Sequence, residues 1–230
     1  MKEPRDIAAV FFDMDGTLID SELNTEPAIT SVCRELGLPD PALDYTAFYG
    51  WTWSSVVDAM VETEPAVADI PDLALRFHQA FHHLCLTRPS PPIAGAEDII
   101  AAFSARIPVA IVSSAYRESI EATIMQLDLG ELISCYVGAE DFEHSKPAPD
   151  CFLHAAKLLD VEPSSCLVFE DSIAGLGAAR AAGMWAVAIT HRSNDIEGAR
   201  QLGHLAIDNY TLLDEGFVAR ACRASQQADQ

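Results

Sequence analysis

The sequence predicts an α/β fold: a parallel sheet covered by helices on both faces, with an all-helical segment inserted after the first strand. Three observations carry this. Short apolar runs of strand length (7–12, 107–112, 133–137, 166–169 and 185–189) alternate with helical patterns beyond residue 95, as a parallel sheet with helical crossovers requires. Between residues 22 and 88 the apolar spacing is helical, and nothing there reads as a strand. That insertion is left through Pro89-Ser90-Pro91-Pro92-Ile93-Ala94-Gly95, a stretch dense in chain breakers.

In order, the first strand ends at Asp13, Gly16 and Thr17 make a turn, and Asp20-Ser21 followed by Glu22 opens the helical part. There Ile29, Val32, Cys33 and Leu36 share one face. Val56, Val57, Met60 and Val61 form a second, and Leu73, Leu75, Phe77, Phe81 and Leu84 carry a third helical segment. Past Gly95 come helix 96–105, strand 107–112 ending in Ser113-Ser114, helix 117–127, strand 133–137 and helix 150–159. Strand 166–169 ends in Glu170-Asp171, helix 172–182 closes on Gly183 as its C′ residue, and strand 185–189 follows. Weaker elements fall near 205–207 and 209–213. The expected organisation is a core of 1–20 and 90–220, a helical cap of 21–89 acting as a lid over the strand edge, and a flexible tail of 221–230. The small residues Gly175 and Gly177 read as close packing of their helix on the sheet, not as a phosphate loop.

Half of the 230 residues are apolar, enough for a full core and a sizeable insert. Fourteen basic against thirty-five acidic side chains give a charge of −21, which excludes the polyanions, nucleic acid and anionic membrane surface, as partners. Any anionic substrate needs a locally positive site. The longest apolar runs are too short to cross a bilayer. A functional Asp pair beginning at residue 13 leaves no place for a removable signal peptide. The six cysteines (33, 85, 135, 151, 166 and 222) show no paired spacing, and Cys135 and Cys166 read as buried thiols. The expected compartment is the cytoplasm.

The chemistry is concentrated at strand ends. Asp13 and Asp15, one residue apart after an apolar strand, aim two carboxylates into the crevice where such sheets bind ligands. Held close, they repel each other unless a cation lies between them, so the pair reads as a divalent-metal site, an acid/base pair, or both. Ser113 and Glu170-Asp171 end other strands, and Lys146 lies in a loop ahead of a helix. A carboxylate nucleophile can split phosphoester hydrolysis into two steps, and a second carboxyl can serve as acid and then base. Hard carboxylate oxygens suit Mg2+, while a hydroxyl and an ammonium complete a clamp on a phosphoryl group.

These pieces resemble the four motifs of the haloacid dehalogenase-like superfamily. Asp13-Met14-Asp15-Gly16-Thr17 is similar to the first and Ile111-Val112-Ser113-Ser114 to the second. Lys146-Pro147 is similar to the third, and Phe169-Glu170-Asp171-Ser172 to the fourth. The resemblance spans residues 7 to about 190. It implies a Rossmann-like parallel sheet core with an inserted all-helical cap of the C1 type, found in β-phosphoglucomutase and many sugar phosphatases. By position it implies Asp13 as the nucleophile that becomes phospho-aspartate and Asp15 as the acid/base. Mg2+ would be held by the Asp13 carboxylate, the Asp15 carbonyl and Asp171, with Glu170 a direct ligand or just behind. Ser113, Ser114 and Lys146 would hold the phosphoryl oxygens, and Thr17 would support the first loop.

The implied activity is a Mg2+-dependent phosphatase for a small phosphorylated metabolite, a sugar phosphate or similar, working as a monomer or homodimer. The alternative is a phosphomutase like β-phosphoglucomutase. Against it, residues 22–92 contain no lysine and only Arg34, Arg76 and Arg88. Thr25 and Trp53 stand where that relative's cap has a histidine and an arginine, so a second phosphate lacks its clamp. The missing cap lysine argues against phosphonate chemistry, and Asp15 against a dehalogenase. A catalytically retired domain that binds a partner protein would have lost a carboxylate, and none is lost. Gly50, Trp51 and Trp53, with Tyr49, are the cap's candidates for substrate contact, with packing inside the cap as the competing reading. His78, His82 and His83 read as a solvated helix surface rather than a metal patch.

Overall fold

The computed structural model describes residues 4, 6–38, 43–49 and 52–222. The chain forms two compact units, Ser21–Ser90 and the remainder, Met1–Asp20 with Pro91–Gln230. The larger unit is built in order from β1 (Ala9–Phe12) and, after the insertion holding α1 (Thr25–Glu35), α2 (Trp53–Thr63) and α3 (Leu73–Thr87), from α4 (Ala96–Ser104), β2 (Val109–Val112), α5 (Arg117–Gln126), β3 (Cys135–Val137), α6 (Asp150–Leu158), β4 (Cys166–Glu170), α7 (Ile173–Ala181), β5 (Trp185–Ile189), α8 (Ile196–Leu202), β6 (Leu205–Ile207) and α9 (Glu215–Ala221). The sheet is parallel throughout, in the order β3-β2-β1-β4-β5-β6. This is the α/β, Rossmann-like architecture read from the sequence.

The strand sequences explain the layering. β1 and β4 are buried along their whole length, as strands covered on both faces must be. Alternate residues then serve opposite layers. Val10, Phe12, Ile111, Phe169 and Val187 meet Ile99 and Phe103 of α4 and Val218 of α9 on one face. Phe11, Ala110, Val112 and Val168 meet Phe152 and Ala155 of α6 and Leu176 and Ala179 of α7 on the other. The register sets Phe12 opposite Ile111 on one side and Phe169 on the other, so Asp13, Ser113 and Glu170 emerge at one edge. Gly183 has φ +77° and its neighbour Met184 donates to the Ala179 carbonyl, which ends α7 as a left-handed cap.

The point where the insertion leaves the sheet unit is fastened by charge. Asp20 is buried, and Arg192 from the loop after β5 grips it through Nε to Oδ1 at 3.1 Å and Nη2 to Oδ2 at 2.6 Å. The Asp20 amide donates to the Pro91 carbonyl, and Ile19 bridges Pro92. The outgoing and returning chains are thereby joined.

In the smaller unit α1 and α2 both pack on α3 around Ile29, Val32, Val56, Met60, Leu73 and Phe77. Of the apolar residues that mark the third helical segment, Leu75 is 53% exposed. Leu73, Phe77, Phe81 and Leu84 follow 3.6-residue spacing, which turns Leu75 to the far side of α3.

Two short helices, α8 and α9, escape the sequence reading. Both start on aspartates that cap them: Asp195 accepts from the Gly198 amide and Asp214 from the Phe217 amide. The expected tail begins too early, because Ala221 and Cys222 are buried and the Ala221 carbonyl accepts from the Ile7 amide. Residues 223–230 lie outside the described residues. Cys166 is buried, and Cys135, on the edge strand, half-buried. Among the described residues no helix is long and apolar enough to cross a membrane.

Candidate active site

The site is assembled at the carboxyl ends of the central strands. Asp13 follows β1, its amide donating to the Phe169 carbonyl of β4 at 3.0 Å. Glu170 ends β4 and Asp171 follows it. The three carboxylates each offer an oxygen within 4.8 Å of the others, and Asp13 and Glu170 are buried. Lys146 reaches them from the loop before α6. Its Nζ donates to Asp13 Oδ1 at 2.6 Å, Glu170 Oε2 at 2.7 Å and the Val112 carbonyl at 3.2 Å. The Phe152 ring lies 5.1 Å from the same ammonium. One buried cation thus ties together β1, β2 and β4.

Each carboxylate is seated by its surroundings. Glu170 Oε1 accepts from the amide and hydroxyl of Ser172, whose Oγ in turn accepts from Gly175 N as the N-cap of α7. A side chain at Gly175 would put Cβ 2.0 Å from the Glu170 carboxyl carbon, so the glycine makes room for the acid itself, not only for the sheet. Asp171 accepts from Thr17 Oγ1 at 3.1 Å and lies against Gly16, where a Cβ would come within 2.2 Å of Oδ2. Gly16 also has φ +74°, so both space and backbone demand glycine.

Asp15 is half-buried and bridges Ile19 through its backbone; its carboxylate is not among the three clustered ones. Ser113 is buried and its Oγ accepts from the Ala115 amide; Ser114 is exposed. Thr17 is fully buried. In the helical unit Trp53 packs on Phe77 and Phe81, with ring centroids 5.9 and 5.5 Å away. Thr25 donates to Glu22 Oε2. Gly50 and Trp51 lie outside the described residues. Burial, then His82, lowers the His78 imidazole. A hollow of about 640 Å3 beside α4 and α9, lined by Ile99, Ala102 and Val218, contains none of the three clustered carboxylates.

Electrostatically the cluster is short of positive charge. Three carboxylates face one ammonium. Burial and then the Glu170 charge push the Asp13 carboxyl up to about 8, with Lys146 pulling the other way and Asp15 adding a smaller push. The same anions hold the Lys146 ammonium well above its usual range, against its own burial. The donor set, carboxylate oxygens with negative charge in excess, fits a hard divalent cation. Without one, the folded chain keeps on Asp13 a proton that the unfolded chain releases near 3.8. Stability of the metal-free protein is therefore expected to fall as pH rises from that value towards 8. Urea denaturation in chelator across this window reads the slope. A flat profile, or the same slope in Asp13→Asn, would contradict it.

The sequence reading placed Ser172 only in a motif and at a helix start. Its position directly before an apolar helix is an N-cap signal, which the Gly175 amide bond matches; the bonds to Glu170 carry no such signal. Comparison with known proteins places the chain in a family. A profile of the haloacid dehalogenase-like hydrolases matches residues 7–183. The chain belongs to the haloacid dehalogenase-like hydrolase family. It is 34% identical to the fructose-1-phosphate phosphatase YqaB of Escherichia coli K12 over 181 residues, 78% of this chain and 95% of that protein. It is 30% identical to the 6-phosphogluconate phosphatase of the same strain, over 77% of this chain and 80% of that one. A haloacid dehalogenase-like protein of unknown function from Agrobacterium tumefaciens superposes with a TM-score of 0.76 at 24% identity, covering 94% of this chain and 99% of the other. Membership of this hydrolase family fits a site made from four segments widely separated in sequence.

Proposed function

We propose that the chain is a Mg2+-dependent phosphoric monoester hydrolase for a small phosphorylated metabolite, of the sugar-phosphate kind. The observation that carries this reading is the Lys146 ammonium clamped between Asp13 and Glu170, with Asp171 beside them. It supports a site built to gather negative charge from substrate and protein around a cation. The two relatives named for sugar-phosphate hydrolysis support the substrate class.

In this reading an Asp13 carboxylate oxygen attacks phosphorus, the ester P–O bond breaks, and an acyl phosphate forms. Asp15, protonated, gives its proton to the leaving alkoxide. It then takes a proton from the water that attacks the acyl phosphate, which releases inorganic phosphate and restores Asp13. Lys146, Ser113 and Ser114 hold the phosphoryl oxygens, and Thr17 steadies the first loop. Asp13, Asp171 and Glu170, with the Asp15 carbonyl, hold Mg2+, which supplies positive charge against the oxygens of the transferring group. Substrate selection is assigned to the helical insertion. Its lack of lysine, and a Thr25 hydroxyl already used by Glu22, favour a monoester over a bisphosphate and so a hydrolase over a mutase.

Incubation with an aryl phosphate tests the reading. Phosphate release is expected with Mg2+ and is expected to fall by at least about a hundredfold in chelator. A panel of phosphorylated sugars, acids and nucleotides then ranks substrates, with sugar phosphates foremost. Release that ignores the metal, or no release from any member, would count against it.

A further inference from the structure

Outside the four motifs and beyond the family match, one side chain reaches into the site from the end of the chain. Tyr210 sits in a 3₁₀ turn (Tyr210–Leu212) after β6, capped by Asn209, whose Oδ1 accepts from the Thr211 amide. It is among the largest fully enclosed side chains, 2% exposed. Its hydroxyl donates to the Thr17 carbonyl at 3.1 Å, across 193 residues of sequence. Its ring packs at 6.0 Å from Phe12 and 5.3 Å from Phe169, the residues immediately before Asp13 and Glu170. Its amide donates to the Ala94 carbonyl, where the chain returns from the insertion.

Thr17 is the link. Its carbonyl accepts from Tyr210, while its own hydroxyl donates to Asp171 Oδ1. We infer that Tyr210 is a positioning residue of the active site: by holding the Thr17 carbonyl it fixes the hydroxyl that orients the Asp171 carboxylate. The inference rests on the proposed metal-dependent hydrolase. Packing alone would need only a ring, and phenylalanine would serve as well. A buried carbonyl left without its donor costs free energy, and any shift of Thr17 that relieves it also moves the hydroxyl that holds Asp171. Partners that orient a metal ligand from behind typically change metal affinity or activity by about tenfold or more when removed.

Tyr210→Phe keeps the ring and deletes the donor. Calorimetric titration of Mg2+ into metal-free protein is expected to show affinity lowered by about five- to tenfold, with a matching rise in the Mg2+ needed for half-maximal aryl phosphate hydrolysis and no change in KM for the aryl phosphate at saturating metal. Thr17→Val should weaken Mg2+ similarly, and the double variant should be little worse than either single one, because both cut the same linkage. Mg2+ affinity within twofold of the parent, fully additive effects, or a Tyr210→Phe protein that does not fold would each overturn the inference, the last by making the hydroxyl a support of the fold. Failure of the parent protein to hydrolyse any phosphate ester would instead sink the functional reading, and calorimetry would still report the linkage.

Discussion

Asp13→Asn is expected to cut phosphate release at least about a thousandfold while leaving the protein as stable as its parent or more so. The two halves of this result have one origin. Asp13 is the carboxylate placed to attack, and asparagine at the same place cannot form the acyl phosphate. Yet in the folded chain that carboxylate is costly: burial and the nearby Glu170 charge resist its ionisation. Asparagine removes the like charge and leaves Lys146 bonded to Glu170 and the Val112 carbonyl. Steady-state kinetics with saturating Mg2+, beside melting curves in chelator, check both halves. Retained turnover would remove Asp13 as the nucleophile. A large fall in melting temperature would mean that the loss of activity reflects damage to the fold.

Lys146→Met is expected to act in the opposite sense on stability. The lysine side chain is 7% exposed, and its partners, the Asp13 and Glu170 side chains, are 9% and 1% exposed. Methionine fills the aliphatic volume but leaves the buried Glu170 charge without its cation, beside an Asp13 carboxyl that already resists ionisation. Breaking a buried ion pair from one side costs about 3–5 kcal/mol, so urea denaturation in chelator should show a loss of that order. Activity should fall by about two to three orders of magnitude, since a buried donor to the phosphoryl oxygens is gone. Mg2+, which binds only the folded chain, should restore part of the stability by mass action. A variant as stable as the parent would show that the folded chain holds the Glu170 charge without needing the ammonium.

Much of the sheet was legible because its strands are short, wholly apolar and separated by helical spacing. Strand 185–189 falls where the apolar run placed it, 166–169 runs one residue further to Glu170, and the strands read as 7–12, 107–112 and 133–137 each begin two residues later. The site residues were legible for a related reason. A charged group directly after a buried strand has only the sheet's edge to go to, and parallel register then brings such edges together. Glu170 was the least clear. A glutamate beside an aspartate gives no sign of which is enclosed, and only the Ser172 cap, the space left at Gly175 and the Lys146 ammonium make Glu170 the more deeply held. Helices α8 and α9 are barely two turns long, below the length at which periodicity speaks. Tyr210 left no local trace at all, since its hydroxyl bond depends on a loop almost two hundred residues earlier.

The strand order has a bearing on biosynthesis. β1, the segment Ala9–Phe12, is made before both of its sheet neighbours, pairing with β2 on one side and β4 on the other. While a ribosome has released everything up to the residues before Cys166, β1 has no partner along its β4 side and presents Ala-Val-Phe-Phe as an open apolar border of the kind that joins other chains. The late strand that delivers Glu170 and Asp171 also seals that border, so the nascent polypeptide becomes safe from self-association and acquires its full set of acids in the same event.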